Sequence, residues 1–239
     1  ANRRFPEDNE GAEKLFHYNL MMVSTHRDKA RVGTITSGME HYLEWKDPYP
    51  LCRDELGEST SSQEVMLAGL FNHQNFLEVL QNFTVFDPEN GRIIKKIPRY
   101  QQFRAVHKTI ERLKTGKTQK DKSGVIWHTQ GSGKSLTMVF LTLKIRRDPE
   151  LRDYKLVFLT DRTQLDDQLT STFEHAQEET IHHADSVKSL KELLESDTSG
   201  IITAMVHKFQ EKNGALNFPV LNESKKILVL ADEAHRTQY

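Results

Sequence analysis

The sequence predicts an α/β fold, a parallel sheet flanked by helices, and three observations carry that expectation. Short apolar runs alternate with helical patterns from residue 100 onward. The glycine-rich run Thr129-Gln130-Gly131-Ser132-Gly133-Lys134-Ser135 follows one apolar run and opens a helical one. The acidic pair Asp232-Glu233 directly follows another, Ile227-Leu228-Val229-Leu230-Ala231. Both polar motifs therefore stand at expected strand ends, where α/β sheets keep their ligands.

The elements follow in order. Residues 12–23 and 31–45 mix short apolar runs with polar turns, and 47–50 and 57–62 read as loops. Residues 64–83 read as one helix, with Val65, Leu67, Ala68, Leu70, Phe71, Phe76, Leu77 and Leu80 along an apolar stripe. Residues 87–91 form a turn, and a domain boundary is expected near residue 95. After Pro98, a helix over 100–113 leads through a lysine-rich loop to a strand at Val125-Ile126-Trp127. The glycine-rich run and a helix over 135–147 come next, then a strand over 155–160 and a helix over 163–174. A capped helix over 185–195 carries Val187, Leu190, Leu193 and Leu194 on one face. A strand over 200–206 and the strand into Asp232 complete the order.

The two motifs have a chemical reading. A triphosphate is densely negative, and glycines let consecutive backbone N–H groups face it with no side chain in the way. Gly131 and Gly133 supply that turn, with Thr129, Gln130 and Ser132 completing the loop. Lys134 would reach the phosphates as a point charge, and the Ser135 hydroxyl would ligate Mg²⁺ at a helix N-terminus. Asp232 would hold the same magnesium, and Glu233 would orient and deprotonate the attacking water. ATP and Mg²⁺ are thus the expected cofactors. His128 stands where the strict phosphate-loop pattern has its first glycine, and packing under the loop is the simple explanation for it. The plain alternatives are an ordinary glycine turn and a helix N-terminus with acids in its first turn.

Composition frames the site. The chain has 239 residues, a net charge of −1 and one cysteine, Cys52, which has no partner for a disulfide or a zinc site. No apolar run approaches the roughly eighteen residues of a membrane helix, and the start, Ala1-Asn2-Arg3-Arg4-Phe5-Pro6, lacks a secretion signal. A soluble, cytoplasmic protein with no membrane partner is expected. Charge is unevenly placed: Arg92, Lys95, Lys96, Arg99, Arg104, Lys108, Arg112, Lys114, Lys117, Lys120 and Lys122 face only Glu111 and Asp121 across that stretch. A solvated helix face and phosphate contact explain it equally well.

Several strings carry a family resemblance. Residues 124–136 (GVIWHTQGSGKSL), Thr160-Asp161-Arg162 with Leu165-Asp166-Asp167-Gln168, Lys208-Phe209-Gln210 and residues 231–239 (ADEAHRTQY) resemble the restriction subunit of type I restriction-modification enzymes. Upstream, Phe83-Thr84-Val85-Phe86, Lys95-Lys96-Ile97 and Arg99 to Val106 are similar to that family's link into its first motor domain. Leu15-Phe16 with residues 30–45 resembles the tail of its nuclease domain.

The resemblance implies a superfamily 2, DEAH-box DNA translocase joined to an endonuclease, acting on double-stranded DNA with methylation and specificity subunits. It implies that residues 1–94 are the C-terminal part of an α/β nuclease-type domain plus linker, and 95–239 a first RecA-like motor domain. Gln102 matches the glutamine that reads adenine, with Tyr100 or Arg99 near the base; a buried helix start is its plain alternative. Thr160, Asp161, Arg162, Thr203 and Lys208 match segments that contact the DNA track, and His235 would couple ATP state to a second motor domain. That second domain would supply an arginine finger, so little ATP turnover is expected from this chain alone. A further strand, from later in the family's sequence, would lie between the two motif-bearing strands. The nuclease acids would lie upstream of residue 1, and Glu44-Trp45-Lys46 and Glu223-Ser224-Lys225, although E-x-K tripeptides, read as structural and surface features. A stand-alone superfamily 2 helicase and a non-catalytic module with a degenerate nucleotide site are the competing readings. Intact Lys134, Ser135, Asp232 and Glu233 argue against the latter.

Overall fold

The computed structural model describes residues 13–16, 18–89, 91–129, 131–160, 181–196, 198–205 and 220–232. The chain divides into two compact units, Ala1–Thr109 and Ile110–Tyr239. No described helix is long and apolar enough to cross a membrane.

Among its described residues the first unit holds two antiparallel hairpins, three short 3-10 helices (Glu13–Phe16, Met39–His41 and Arg53–Leu56) and three α-helices. Strands β1 (Met22–His26) and β2 (Lys29–Gly33) pair with Met22 opposite Gly33, and Val32 bridges to Leu43. Helices α1 (Ser62–Gly69) and α2 (His73–Asn82) follow, then β3 (Val85–Glu89) paired with β4 (Arg92–Lys96). Helix α3 (Tyr100–Thr115) begins in this unit. Trp45, Phe83 and Phe103 are buried at its centre, with Phe103 ring centroids 5.5 Å from Trp45 and 4.9 Å from Phe83. Such edge and tilted contacts are the preferred aromatic geometries. Arg104 pairs with Asp47 at 3.0 Å and lies 3.7 Å over the Tyr49 ring. Trp45 also donates to the Asp47 carbonyl at 2.8 Å, so Glu44-Trp45-Lys46 is anchored by a core residue.

Two expectations are corrected in this unit. Residues 64–83 are not one helix. Asn72 caps α2 by accepting from Gln74 N at 3.1 Å, and Gly69 packs so closely that a Cβ would collide with the Asp47 carbonyl. The break changes the helical phase: Leu67, Leu77 and Leu80 face outward, while Met66 and Val79 are buried instead. Nor are residues 87–91 all turn. Asp87, Pro88 and Glu89 belong to β3, and Glu89 pairs with Arg92, so the reversal is confined to the tip around Gly91 at φ 75°. A two-stranded hairpin has only edge strands, which tolerate a proline.

The second unit carries the parallel sheet. After α4 (Gln119–Lys122) and α5 (Lys134–Arg147) come β5 (Lys155–Thr160), β6 (Ile181–His183), α6 (Val187–Glu195), β7 (Ile201–Met205) and β8 (Ile227–Ala231). The sheet has the order β6-β7-β5-β8, and every pairing is parallel. β5 sits at its centre and is buried along nearly all its length, as a near-continuous apolar run requires. α6 lays Leu190, Leu193 and Leu194 onto Val157, Ile202 and Ala204, the face expected from its periodicity. Its N-cap is Ser186, which accepts from Ser189 N at 3.1 Å.

Two features of this sheet differ from expectation. β6 adds a strand at Ile181-His182-His183, and Val125-Ile126-Trp127 is not a strand. Val125 is 94% and Trp127 92% exposed. Strand formation needs a hydrogen-bonding neighbour, and the segment has no ladder partner among the described residues. Among the described residues β8 is an edge strand, bonded to β5 on one side, and the strand that the resemblance inserts beside it is not among them. The expected helix over 163–174 lies outside the described residues.

Candidate functional site

α5 starts at Lys134 because the loop before it turns through two left-handed residues, Gly131 at φ 74° and Gly133 at φ 85°. Residues with a Cβ reach that region only at a cost, so the two glycines are a backbone requirement. Gly133 is the N-cap, and its carbonyl accepts from Thr137 N at 3.1 Å and Thr137 Oγ1 at 3.2 Å. Ser132 N donates to Thr129 O at 3.2 Å and closes the turn.

A Cβ on Gly131 would meet nothing within 4 Å, and the first turn of α5 holds no acidic side chain. Backbone N–H groups in a glycine turn, a helix N-terminus and the adjacent Lys134 and Ser135 fit a phosphate chain and its metal ion.

His128 explains its own departure from the strict pattern. Arg27 is the single described non-glycine residue with positive φ, so the position of His128 does not need glycine. Its Nδ1 is buried without a hydrogen-bond partner among the described residues. Burial first, and then the charge of Lys134, hold its pKa below the ordinary histidine value of 6.5, so the ring is uncharged at neutral pH.

The sheet brings a second set of predicted residues together. Asp232 N donates to Leu159 O at 2.9 Å, which continues the β8–β5 ladder and places Asp232 beside Thr160 at the C-terminal edge. Thr160 and Thr203 are each 3% exposed, so neither hydroxyl lies on the surface. Thr203 Oγ1 instead meets His183 Nδ1 at 2.9 Å. Gln130, Asp161, Arg162, Lys208, Glu233 and His235 lie outside the described residues. In the first unit, Gln102 is 1% exposed and its Oε1 accepts from Arg99 N at 2.8 Å, which caps the start of α3. Among the described residues, no group of three or more His, Cys, Asp or Glu gathers as a metal site.

Part of the basic stretch is used within the fold. Lys114 pairs with Asp148 at 2.6 Å and Glu150 at 3.0 Å, and Arg112 donates to the Asp121 carbonyl. Lys117 and Lys120 remain exposed.

The family profile described as SWI2/SNF2 ATPase matches residues 101–239. The chain belongs to the SWI2/SNF2 ATPase family. That match covers the glycine loop, the parallel sheet and the acidic pair together. Among its relatives, this SWI2/SNF2 ATPase chain is 33% identical over 245 residues to a putative type I restriction enzyme MjaIXP endonuclease subunit of Methanocaldococcus jannaschii. The alignment covers 95% of this chain and 23% of the relative. It is 31% identical over 251 residues to the type I restriction enzyme HindI endonuclease subunit of Haemophilus influenzae, covering 100% of this chain and 23% of that one. A third relative, from Methanocaldococcus jannaschii as well, is a putative type I restriction enzyme MjaVIIIP endonuclease subunit, 28% identical, with 95% of this chain and 23% of the relative covered. The SWI2/SNF2 ATPase chain thus spans 23% of the length of these three relatives.

The strand Ile181-His182-His183 is shorter than periodicity can register.

Proposed function

We propose that this chain is the nucleotide-binding half of an ATP-driven motor on double-stranded DNA, within the restriction subunit of a type I restriction-modification system. The carrying observation is the loop itself: Gly131 and Gly133 both left-handed, with open space where a Cβ would stand on Gly131, at the head of α5 in a SWI2/SNF2 ATPase chain. The names of the relatives support the restriction setting.

In this reading the amides of Thr129 to Gly133 and the Lys134 ammonium bind the phosphates, and Ser135 and Asp232 hold Mg²⁺. The metal supplies charge neutralisation on the phosphates. Glu233 positions and deprotonates the attacking water, and Gln102 recognises adenine while capping α3 through its Oε1. The Thr160–Arg162 and Thr203–Lys208 segments serve the DNA track, and His235 couples the site to a second motor domain. Residues 1–94 are the tail of the nuclease domain, 95–239 are motor, and the methylation and specificity subunits are the protein partners. The cytoplasm is the proposed compartment, since the DNA is there.

The test is ATP hydrolysis by the full-length polypeptide with duplex DNA, with RNA and with neither. Stimulation by duplex DNA is expected. Stimulation by RNA but not by duplex DNA would overturn the restriction reading in favour of a stand-alone helicase.

A further inference from the structure

Among the described residues β4 pairs only with β3, and side chains occupy its outer edge where a third strand would bond. Lys95 stands opposite Phe86 in the register, with its backbone groups turned to that edge. Its N–H donates to Thr36 Oγ1 at 2.9 Å, and its carbonyl accepts from Thr34 Oγ1 at 2.8 Å and Thr36 Oγ1 at 3.3 Å. An amide N–H only donates and a carbonyl only accepts, so both groups are held whichever way the hydroxyls share their protons. Thr34 Oγ1 also meets Thr36 Oγ1 at 3.1 Å and Ser37 Oγ at 2.9 Å, which gathers three hydroxyls around one residue. The side chain of Lys95 reaches back as well, with Nζ donating to Asn19 O at 2.7 Å. Thr34 is 1% exposed, so water does not compete for its bond.

We propose that Thr34 and Thr36 are positioning residues that clamp Lys95 and so hold the nuclease tail to the head of the motor, allowing ATP-driven motion to lead to DNA cleavage. The inference rests on the reading above, in which residues 1–94 are nuclease tail and the motor begins at Lys95. The whole clamp lies in the first unit, as does the start of α3. The link from Lys95 to α3 has little slack. Lys96 Nζ is bonded to Asp87 at 2.6 Å, Pro98 has a fixed φ, and Arg99 N, four positions after Lys95, donates to Gln102 Oε1 at 2.8 Å. A displacement at the start of α3 is therefore carried to the clamp rather than absorbed before it. A third strand would spread such a joint along a ladder of backbone bonds. Here it falls on one residue, so the loss of one hydroxyl is enough to loosen it.

The experiment uses the full-length protein with its methylation and specificity subunits and measures cleavage and ATP hydrolysis on the same duplex DNA, read as cuts made per ATP consumed. Thr36→Val keeps the side-chain shape and removes both of its bonds to Lys95. Cuts per ATP should fall about three- to tenfold, the equilibrium effect of one hydrogen bond, with DNA-stimulated hydrolysis unchanged. Thr34→Val should do the same, and Thr36→Ser, which keeps the hydroxyl, should stay near wild type. Val65→Ala removes buried methyl groups from α1 and none of these hydrogen bonds, so it should lower the melting temperature and leave cuts per ATP at the wild-type value. A wild-type ratio in Thr36→Val, a parallel fall in its hydrolysis, or an equal fall of the ratio in Val65→Ala overturns the clamp while leaving the motor reading intact. Wild-type protein that duplex DNA fails to stimulate, or that never cuts, overturns both.

Discussion

Lys155, the first residue of β5, donates from Nζ to the Leu193 carbonyl at 2.7 Å, so a lysine buried to 5% exposure closes the C-terminus of α6. The same ammonium reaches Leu194 O at 3.3 Å and Ser196 Oγ at 3.1 Å, and also bonds the Ser196 carbonyl. Helix C-termini leave carbonyls unpaired and carry partial negative charge, so one cation answers both needs. A buried charge is tolerable only when its donors are used, as they are here. Lys155→Met keeps the apolar stem and strips the donors, and should cost about 2–3 kcal/mol of stability. Chemical denaturation measures this, and a change under ~0.5 kcal/mol would show that the staple contributes little.

The glycine loop makes a conformational prediction. Gly133 has φ 85° and ψ 43°, so Gly133→Ala forces a side chain into the left-handed region at about 1–2 kcal/mol. The variant should keep its fold and lose nucleotide affinity, because relief of the strain turns the N–H groups away from the phosphates. Fluorescent-nucleotide titration beside a thermal melt separates the two effects.

The Lys114–Asp148 pair, at 2.6 Å, ties the end of α3 to the residue after α5 and sets an acid dependence. Burial, the largest single influence, would raise the Asp148 pKa, but the hydrogen bond and charge of Lys114 together with the backbone N–H groups of Glu150 and Leu151 outweigh it and hold the carboxyl below its usual value. A folded-state pKa below the unfolded one of about 3.9 means the contribution is present above that pH. It is lost as pH falls through the folded value. The same bond raises Lys114, whose contribution is present below its unfolded pKa of roughly 10.4 and lost as pH rises through the folded one. Asp148→Asn should therefore flatten the stability loss below about pH 4 in a denaturation series. The neutral-pH cost should stay under ~1 kcal/mol because Lys114 remains 31% exposed.

Local patterns made much of the second unit legible. β5, β7, β8, α5 and α6 were each specified by an apolar run or stripe bounded by turn residues, and each forms close to its expected range. What escaped depends on partners distant in sequence. Val125-Ile126-Trp127 has strand composition but no ladder partner among the described residues, whereas Ile181-His182-His183 has little strand composition and pairs with β7. The helix break was masked by an apolar stripe that runs through it; Asn72, which caps α2, stands at that break. At the candidate site, the glycine turn and the helix start at Lys134 could be read from the sequence. The burial of Thr203 against His183 could not, since it joins positions 20 apart through sheet register.

In the proposed function, Lys134 and the loop before it hold ATP for hydrolysis. The most direct measurement is ATP turnover by full-length Lys134→Ala protein with saturating duplex DNA, alongside wild type. Turnover should fall by about 100-fold or more, the usual cost of removing a group aimed at developing charge in the transition state. Turnover at the wild-type rate would contradict it.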